Sequence, residues 1–223
     1  MMRRYLAEFV GTFVIVFAPV AWSSHSQGGL LGAALVSGLS VLAMIFALGP
    51  VSAAHFNPAV TLGFAIAKRF PWKFALPYWL AQFSGAIVAS GLCMIFFGCV
   101  HGAHVPADPT FYFRNIGLEA VITFILMFVI IAVATDRRVP GGMPAIAIGF
   151  SVIVGVLIGG PITGGSMNPA RSVGPALFAG GPALANAWLY ILGPCLGAIL
   201  GAVVYEAIRL EKEHACGAPN ELV

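Results

Sequence analysis

Ala54-His55-Phe56-Asn57-Pro58-Ala59-Val60-Thr61 and Gly164-Gly165-Ser166-Met167-Asn168-Pro169-Ala170-Arg171-Ser172 carry the same triplet, 111 positions apart (168 − 57). Asn is a strong N-cap, and Pro fits the first helical position, where its missing N–H would be unpaired anyway. Each Asn-Pro therefore starts a helix at a defined residue. The apolar stretches that follow, 58–67 and 169–179, would reach only about 15 Å as helices. That is half of a hydrocarbon core of roughly 30 Å, so each can dip to the midplane and stop. One copy of Asn-Pro-Ala would be no more than a helix-start turn. Two copies at one offset, each between apolar spans, are a device.

The offset extends outward from the triplets. Glu8, Thr12 and Phe13 recur as Glu119, Thr123 and Phe124, and Gly38 and Ser40 recur as Gly149 and Ser151. Six segments qualify as membrane-spanning helices: 5–22, 30–48, 74–97, 116–135, 143–160 and 184–208. Each half, about 1–100 and 112–210, holds three of them, and three is odd. The second half therefore enters the membrane inverted, and the two short helices approach from opposite sides. The fold class expected is an all-α membrane protein: six transmembrane helices plus two re-entrant half-helices in one channel domain. Inverted repeats of this kind place their functional site at the repeat interface.

Composition agrees. Of 223 residues, 60% are hydrophobic and 9% charged, with mean hydropathy +0.96, against about 25% charged in ordinary soluble domains. A soluble domain and a disordered chain are both excluded. The net charge of +3 forms no basic patch, so no nucleic-acid partner is expected. Arg3, Arg4, Lys68, Arg69, Lys73, Arg137, Arg138, Arg209 and Lys212 cluster at the termini and the even-numbered connections. By the positive-inside rule both termini are cytoplasmic. Trp22, Trp72, Trp79 and Trp188 lie near span ends, as interfacial anchors do. The first apolar run holds Glu8 and lacks a clear cleavage site, so it reads as a retained span rather than a signal peptide.

Candidate site residues follow from the half-helix tips. If each Asn oxygen caps its own helix, the amide hydrogens of Asn57 and Asn168 are free to point into one small volume. The positive ends of both half-helix dipoles meet there too. Such a place donates hydrogen bonds to a neutral solute and repels cations. Arg171, one residue past the second triplet, reads as a charge facing that path rather than as a salt-bridge partner of Glu119 or Asp108. Glu8 and Glu119, at matching repeat positions, read as acceptors for the irregular backbone of the re-entrant loops rather than as a proton relay. His55 reads as a brace of the first loop. His101 and His104 read as a surface pair, without the third ligand a metal site requires. Cys93, Cys99, Cys195 and Cys216 form no CxxC pair, and the first three read as buried, inert thiols. No nucleophile–base pair occupies an apolar span. Gly28-Gly29 and Gly141-Gly142 read as loop glycines rather than a phosphate cradle. Neither an enzyme nor a cofactor or metal site is expected.

The two triplets, the Glu-x-x-x-Thr-Phe repeats and the arginine after the second triplet resemble the aquaporin (major intrinsic protein) family over essentially the whole chain. Phe70-Pro71-Trp72, Tyr78-Trp79-Leu80-Ala81-Gln82-Phe83 and Ala132-Val133-Ala134-Thr135-Asp136 are similar to the nodulin-like intrinsic proteins of plants and their bacterial relatives. The resemblance implies a homotetramer in the lipid bilayer with one pore per protomer, here expected in a bacterial inner membrane. It also implies an outer selectivity filter at Ser37, Val156, Gly165 and Arg171, and a pore centre at Asn57, Pro58, Ala59, Asn168, Pro169 and Ala170. Water channels of the family usually carry an aromatic and a histidine where this chain has Ser37 and Val156. The small ring resembles members that pass glycerol, urea, boric acid or arsenous acid. Ser172, where glyceroporins usually carry Asp, is the water-channel feature. The expected function is a passive channel for small uncharged solutes and water that excludes protons and ions. A water-selective pore is the alternative within the family, and a secondary transporter with inverted repeats is the alternative of another class.

Overall fold

The computed structural model describes residues 1–25, 28–136 and 138–209. Arg137, Lys212 and Cys216, used above for sidedness and thiol chemistry, lie outside the described residues. Those described form α1 (Met2–His25), α2 (Gly29–Ser52), α3 (Pro58–Ile66), a 3-10 turn (Trp72–Phe74), α4 (Ala75–Phe97), α5 (Tyr112–Thr135), α6 (Met143–Gly159), α7 (Pro169–Ala179), α8 (Gly181–Ala185) and α9 (Leu189–Ile208). Five helices, with the 3-10 turn counted as the start of α4, are long and apolar enough to cross a membrane. The sixth, α6, has 17 residues, a length of about 26 Å at 1.5 Å per residue. The segment expected as one span over 184–208 is broken. The short α8 ends at Ala185, and α9 starts only at Leu189. Asn186, whose side chain donates to Pro182 O at 2.8 Å, occupies the break.

Lipid gives helices no hydrophobic reason to associate, so close packing depends on small residues at the contacts. A Cβ on Gly38 would lie 2.4 Å from Gly149 O, and one on Gly149 would lie 2.9 Å from Gly38 O. The glycines that share the offset of 111 are thus the contact of α2 with α6, the two equivalent helices of the repeats. Gly85 on α4 meets Phe9 O of α1, and Gly197 on α9 meets Ala120 O of α5. The chain therefore pairs α1 with α4, and α5 with α9, in the same way.

The half-helices cross between the repeats. The first, α3, packs on α9, and the second, α7, packs on α4. A Cβ on Gly174 of α7 would lie 2.8 Å from the Ala86 backbone of α4. Arg69, just past α3, pairs with Glu206 near the end of α9 at 3.0 Å. Arg209 reaches Glu206 and Thr135 Oγ1, so the ends of α3, α5 and α9 are tied together.

Candidate functional site

Each half-helix begins as its sequence dictates. Asn57 and Asn168 are extended (φ −153° and −150°), and Pro58 and Pro169 occupy the first helical position. Asn57 Oδ1 accepts from Ala59 N at 2.9 Å; Asn168 Oδ1 accepts from Ala170 N at 3.0 Å and Arg171 N at 3.3 Å. Contrary to the expectation above, the amides are not wholly free. Asn57 Nδ2 donates to Met167 O at 2.7 Å, and Asn168 Nδ2 donates to Phe56 O at 2.9 Å. One hydrogen of each amide thus ties its loop to the other loop, and one remains for the space between them.

The loops before the two asparagines share one backbone shape. Ala53, Ala54 and Phe56 have φ of 67°, 52° and 51°; Gly164, Gly165 and Met167 have 92°, 67° and 56°. These are the same three positions at the offset of 111, with alanine in one loop where the other has glycine. A left-handed conformation costs a non-glycine residue roughly 1–2 kcal/mol, so the loops need support. Two buried carboxylates supply it. Glu8 accepts from Ser52 Oγ (2.8 Å), His55 N (3.0 Å), Phe56 N (2.7 Å) and Gln82 Nε2 (2.8 Å). Glu119 accepts from Thr163 Oγ1 (2.7 Å), Ser166 N (3.0 Å) and Met167 N (2.9 Å). Both side chains are fully buried. Such irregular backbone at membrane depth needs partners inside the protein, and these contacts supply them.

A cavity of about 640 Å³ runs past both loops. Arg4, Pro50 and Ala134 border one end and Ser23, Leu30 and Val105 the other, while Asn57 and Asn168 lie along it. Ser37, Val156, Gly165 and Arg171 all border it on the α7 side. The register on α2 is settled by Gly38, which faces Ile153 and Gly149 of α6, leaving Ser37 on the cavity wall. Gly165 contributes backbone rather than open space. A Cβ there would lie 2.9 Å from Val156 Cα and 3.1 Å from Gly155 O, and φ is +67°. Glycine is therefore required at 165 by α6, and of the four positions Ser37, Val156 and Arg171 present side chains to the cavity. Arg171 donates from Nη1 to Gly102 O at 3.2 Å and makes no ion pair among the described residues. Glu119 is occupied by the loop, and Asp108 accepts from Thr110 N and Oγ1.

Two histidine expectations differ in outcome. His55 Nδ1 is 3.1 Å from Thr61 Oγ1, and its ring stacks on Phe64 with centroids 4.7 Å apart. His104 is not a surface residue. It is 8% exposed, its Nδ1 is 2.8 Å from Ser172 Oγ, and its Cδ2 would lie 2.7 Å from a Cβ on Gly164. The connection 98–111 folds over the second loop and buries it; sequence alone offered no signal of that fold-back. Burial, and then the Arg171 charge, holds the His104 imidazole well below its usual range and so neutral. His101 stays exposed. Among the described cysteines Cys93 is buried, and Cys99 and Cys195 are half-buried. Among the described residues no group of three metal-ligating side chains occurs.

Several supporting groups went unread in the sequence. Ser52 and Thr163 share the offset, as do Thr61 and Ser172, and a repeat search that allows hydroxyl exchanges finds both pairs. Tyr78 Oη donates to Ser52 O at 2.8 Å, and Tyr190 Oη to Thr163 O at 2.6 Å. These tyrosines are 112 apart (190 − 78) because the second half carries one extra residue before α9. Gln82 Nε2 also reaches Thr61 Oγ1 at 3.0 Å, a contact with no equivalent in the second half. Gln82 Oε1 and Thr12 Oγ1 are buried without a partner, and the structure offers no reason for either.

The comparisons with known proteins are consistent with one another. Residues 1–205 match the family described as Major intrinsic protein. Aquaporin NIP1-4 of Oryza sativa subsp. japonica is 46% identical over 217 residues, covering 94% of this chain and 78% of that protein. Aquaporin NIP2-1 of the same plant is 39% identical over 232 residues, covering 100% of this chain and 76% of its own length. The X-ray structure of the aquaglyceroporin from Plasmodium falciparum superposes with a TM-score of 0.81 at 24% identity, covering 93% of this chain and 96% of that one. At that identity the last likeness speaks for the fold alone. The sequence relatives are plant proteins and do not fit the bacterial inner membrane expected above; what stands is an integral multi-pass membrane protein.

Proposed function

Because the chain belongs to the major intrinsic protein family, whose members are transmembrane channels and not enzymes, we propose that this channel passes small uncharged solutes such as glycerol, urea, boric acid or arsenous acid together with water. The observation that carries this reading is the ring around the cavity. Ser37 and Val156 stand where bulkier groups would narrow it, and Arg171 offers guanidinium N–H donors to a hydroxyl passing along one wall. Beyond it, the unspent amide hydrogens of Asn57 and Asn168 can each donate to a solute oxygen. Backbone carbonyls near Gly164 and Gly165 provide acceptors, and Val156 keeps one side apolar. Two converging half-helix N-termini and one arginine place positive potential at the meeting of the tips and at the ring, which disfavours cations. The termini are assigned to the cytoplasm, so the Arg171 end faces outward. The resemblance to the family supports a homotetramer.

Stopped-flow light scattering of proteoliposomes under gradients of water, glycerol and boric acid tests the reading. Non-saturating flux of all three, without any ion gradient, is expected. Flux of water alone would favour the water-selective alternative, and saturation or ion coupling would favour a transporter.

Arg171→Val removes the fixed charge at the ring. A unit charge at about 4 Å amounts to ~4 kcal/mol at an effective dielectric of 20, so cation leak in vesicles should rise at least about tenfold. Water flux should persist, because the half-helix ends remain. An unchanged leak in a variant that still conducts water would place cation exclusion elsewhere.

A further inference from the structure

His104 belongs to no repeat position and was expected on the surface, yet it completes a pattern. In the first half an imidazole bonds a half-helix hydroxyl: His55 Nδ1 with Thr61 Oγ1. The position equivalent to His55 in the second half is Ser166, which cannot supply a ring. His104, from the connection between α4 and α5, supplies it to Ser172, the position equivalent to Thr61. Both rings border the cavity.

Counting protons fixes what each ring presents. Thr61 Oγ1 donates its only proton to Asn57 O at 3.2 Å, so His55 Nδ1 must be the donor in its pair. Ser166 Oγ donates to Asn168 O at 3.0 Å. The single proton in the Ser166–Ser172 contact therefore comes from Ser172, and His104 Nδ1 must donate to Ser172. A neutral imidazole with its proton on Nδ1 has a bare lone pair on Nε2. Neither Nε2 has a partner among the described residues, and neither is among the buried unpaired atoms. Each Nε2 therefore keeps exposed surface, on a ring that borders the cavity.

We propose that His104 Nε2 is a hydrogen-bond acceptor lining the outer half of the passage, the counterpart of His55 Nε2 in the inner half, and that it favours solutes able to donate. The proposal rests on the reading of the protein as a solute channel. Arg171 on the adjoining wall can only donate. With His104 beside it, a solute carrying O–H or N–H groups is bonded in both senses as it sheds water, whereas water alone, small and bonded to its own file, depends less on the ring. His104 is thus a specificity-determining residue that touches the solute, and its bond to Ser172 fixes its tautomer.

Two substitutions separate this from a merely structural brace. The amide of Asn in His104→Asn can replace the Nδ1 donor to Ser172 but leaves nothing at Nε2. The longer Gln in His104→Gln can place an amide oxygen at the reach of Nε2. Permeability to glycerol and to water is measured for each in proteoliposomes at matched protein content. His104→Asn is expected to lower the glycerol-to-water ratio about fivefold, the equivalent of one lost hydrogen bond. His104→Gln should recover most of the ratio. A His104→Asn ratio equal to the parent's, or one not raised by His104→Gln, overturns the proposal and leaves His104 as a brace. Should the parent pass water alone, the solute reading itself fails. The acceptor is then read on water: His104→Asn must conduct less than His104→Gln, and equality overturns it.

Discussion

Glu119→Ala is expected to leave no folded channel. The carboxylate is the acceptor for Thr163 Oγ1, Ser166 N and Met167 N, all buried. Alanine leaves these three donors facing one another in a site closed to bulk water. An unpaired buried donor costs about 1–3 kcal/mol, so the sum of roughly 3–9 kcal/mol is comparable to the total stability of an ordinary domain, about 5–15 kcal/mol. Met167, held left-handed by this contact, also loses its restraint. Detergent-solubilised protein should aggregate at far lower temperature than the parent, or fail to appear as a single species on size exclusion. Glu119→Gln keeps one acceptor oxygen and should fall between. Glu8→Ala should do the same from the other side, with four donors stranded. A Glu119→Ala variant that melts like the parent would show that the second loop is held by the Asn168–Phe56 and Tyr190–Thr163 bonds alone.

The largest expected functional effect is on selection rather than stability. Ser37→Phe with Val156→His fills two of the ring positions with an aromatic and an imidazole. Water should still pass. For glycerol or boric acid the ring becomes overpacked at the moment of passage, and overpacking typically costs about 1–3 kcal/mol. The solute-to-water permeability ratio should therefore fall by roughly 5-fold to 150-fold. Gly165 is left alone on purpose, since any Cβ there collides with α6 before it reaches the cavity. An unchanged ratio in a folded double variant would mean that Ser37 and Val156 do not line the narrowest point.

The parts of this structure that repeat were legible in the sequence, because a repeat displays its own constraints twice. The two Asn-Pro helix starts, the carboxylates at 8 and 119 and the glycine pair at 38 and 149 all follow from one offset and from what irregular backbone or close helices require. Groups that act alone were harder to read. Gln82 bonds Glu8 in only one half, and the extra residue before α9 moves Tyr190 off the offset. His104 reaches its place by tertiary folding of a connection, which no local pattern encodes. The free amide hydrogens were over-counted for a related reason. Helix capping is local and could be read, but the bonds from Asn57 to Met167 O and from Asn168 to Phe56 O depend on the two loops meeting. The break at 186–188 was missed because hydropathy runs through it unbroken, and only the turn at Asn186 interrupts the helix.

The crossing of the half-helices also bears on how the chain comes into being. At about 5–20 residues per second, α9 leaves the ribosome on the order of ten seconds after α3. For that interval α3 lacks the helix it packs on, and Arg69 lacks Glu206. Asn57 likewise waits for Met167, and Phe56 for Asn168. A nascent first half therefore has spanning helices but no seated tip, and no lined passage through which the membrane could leak. The passage is therefore lined only once α9 has joined α3 and the second loop has met the first.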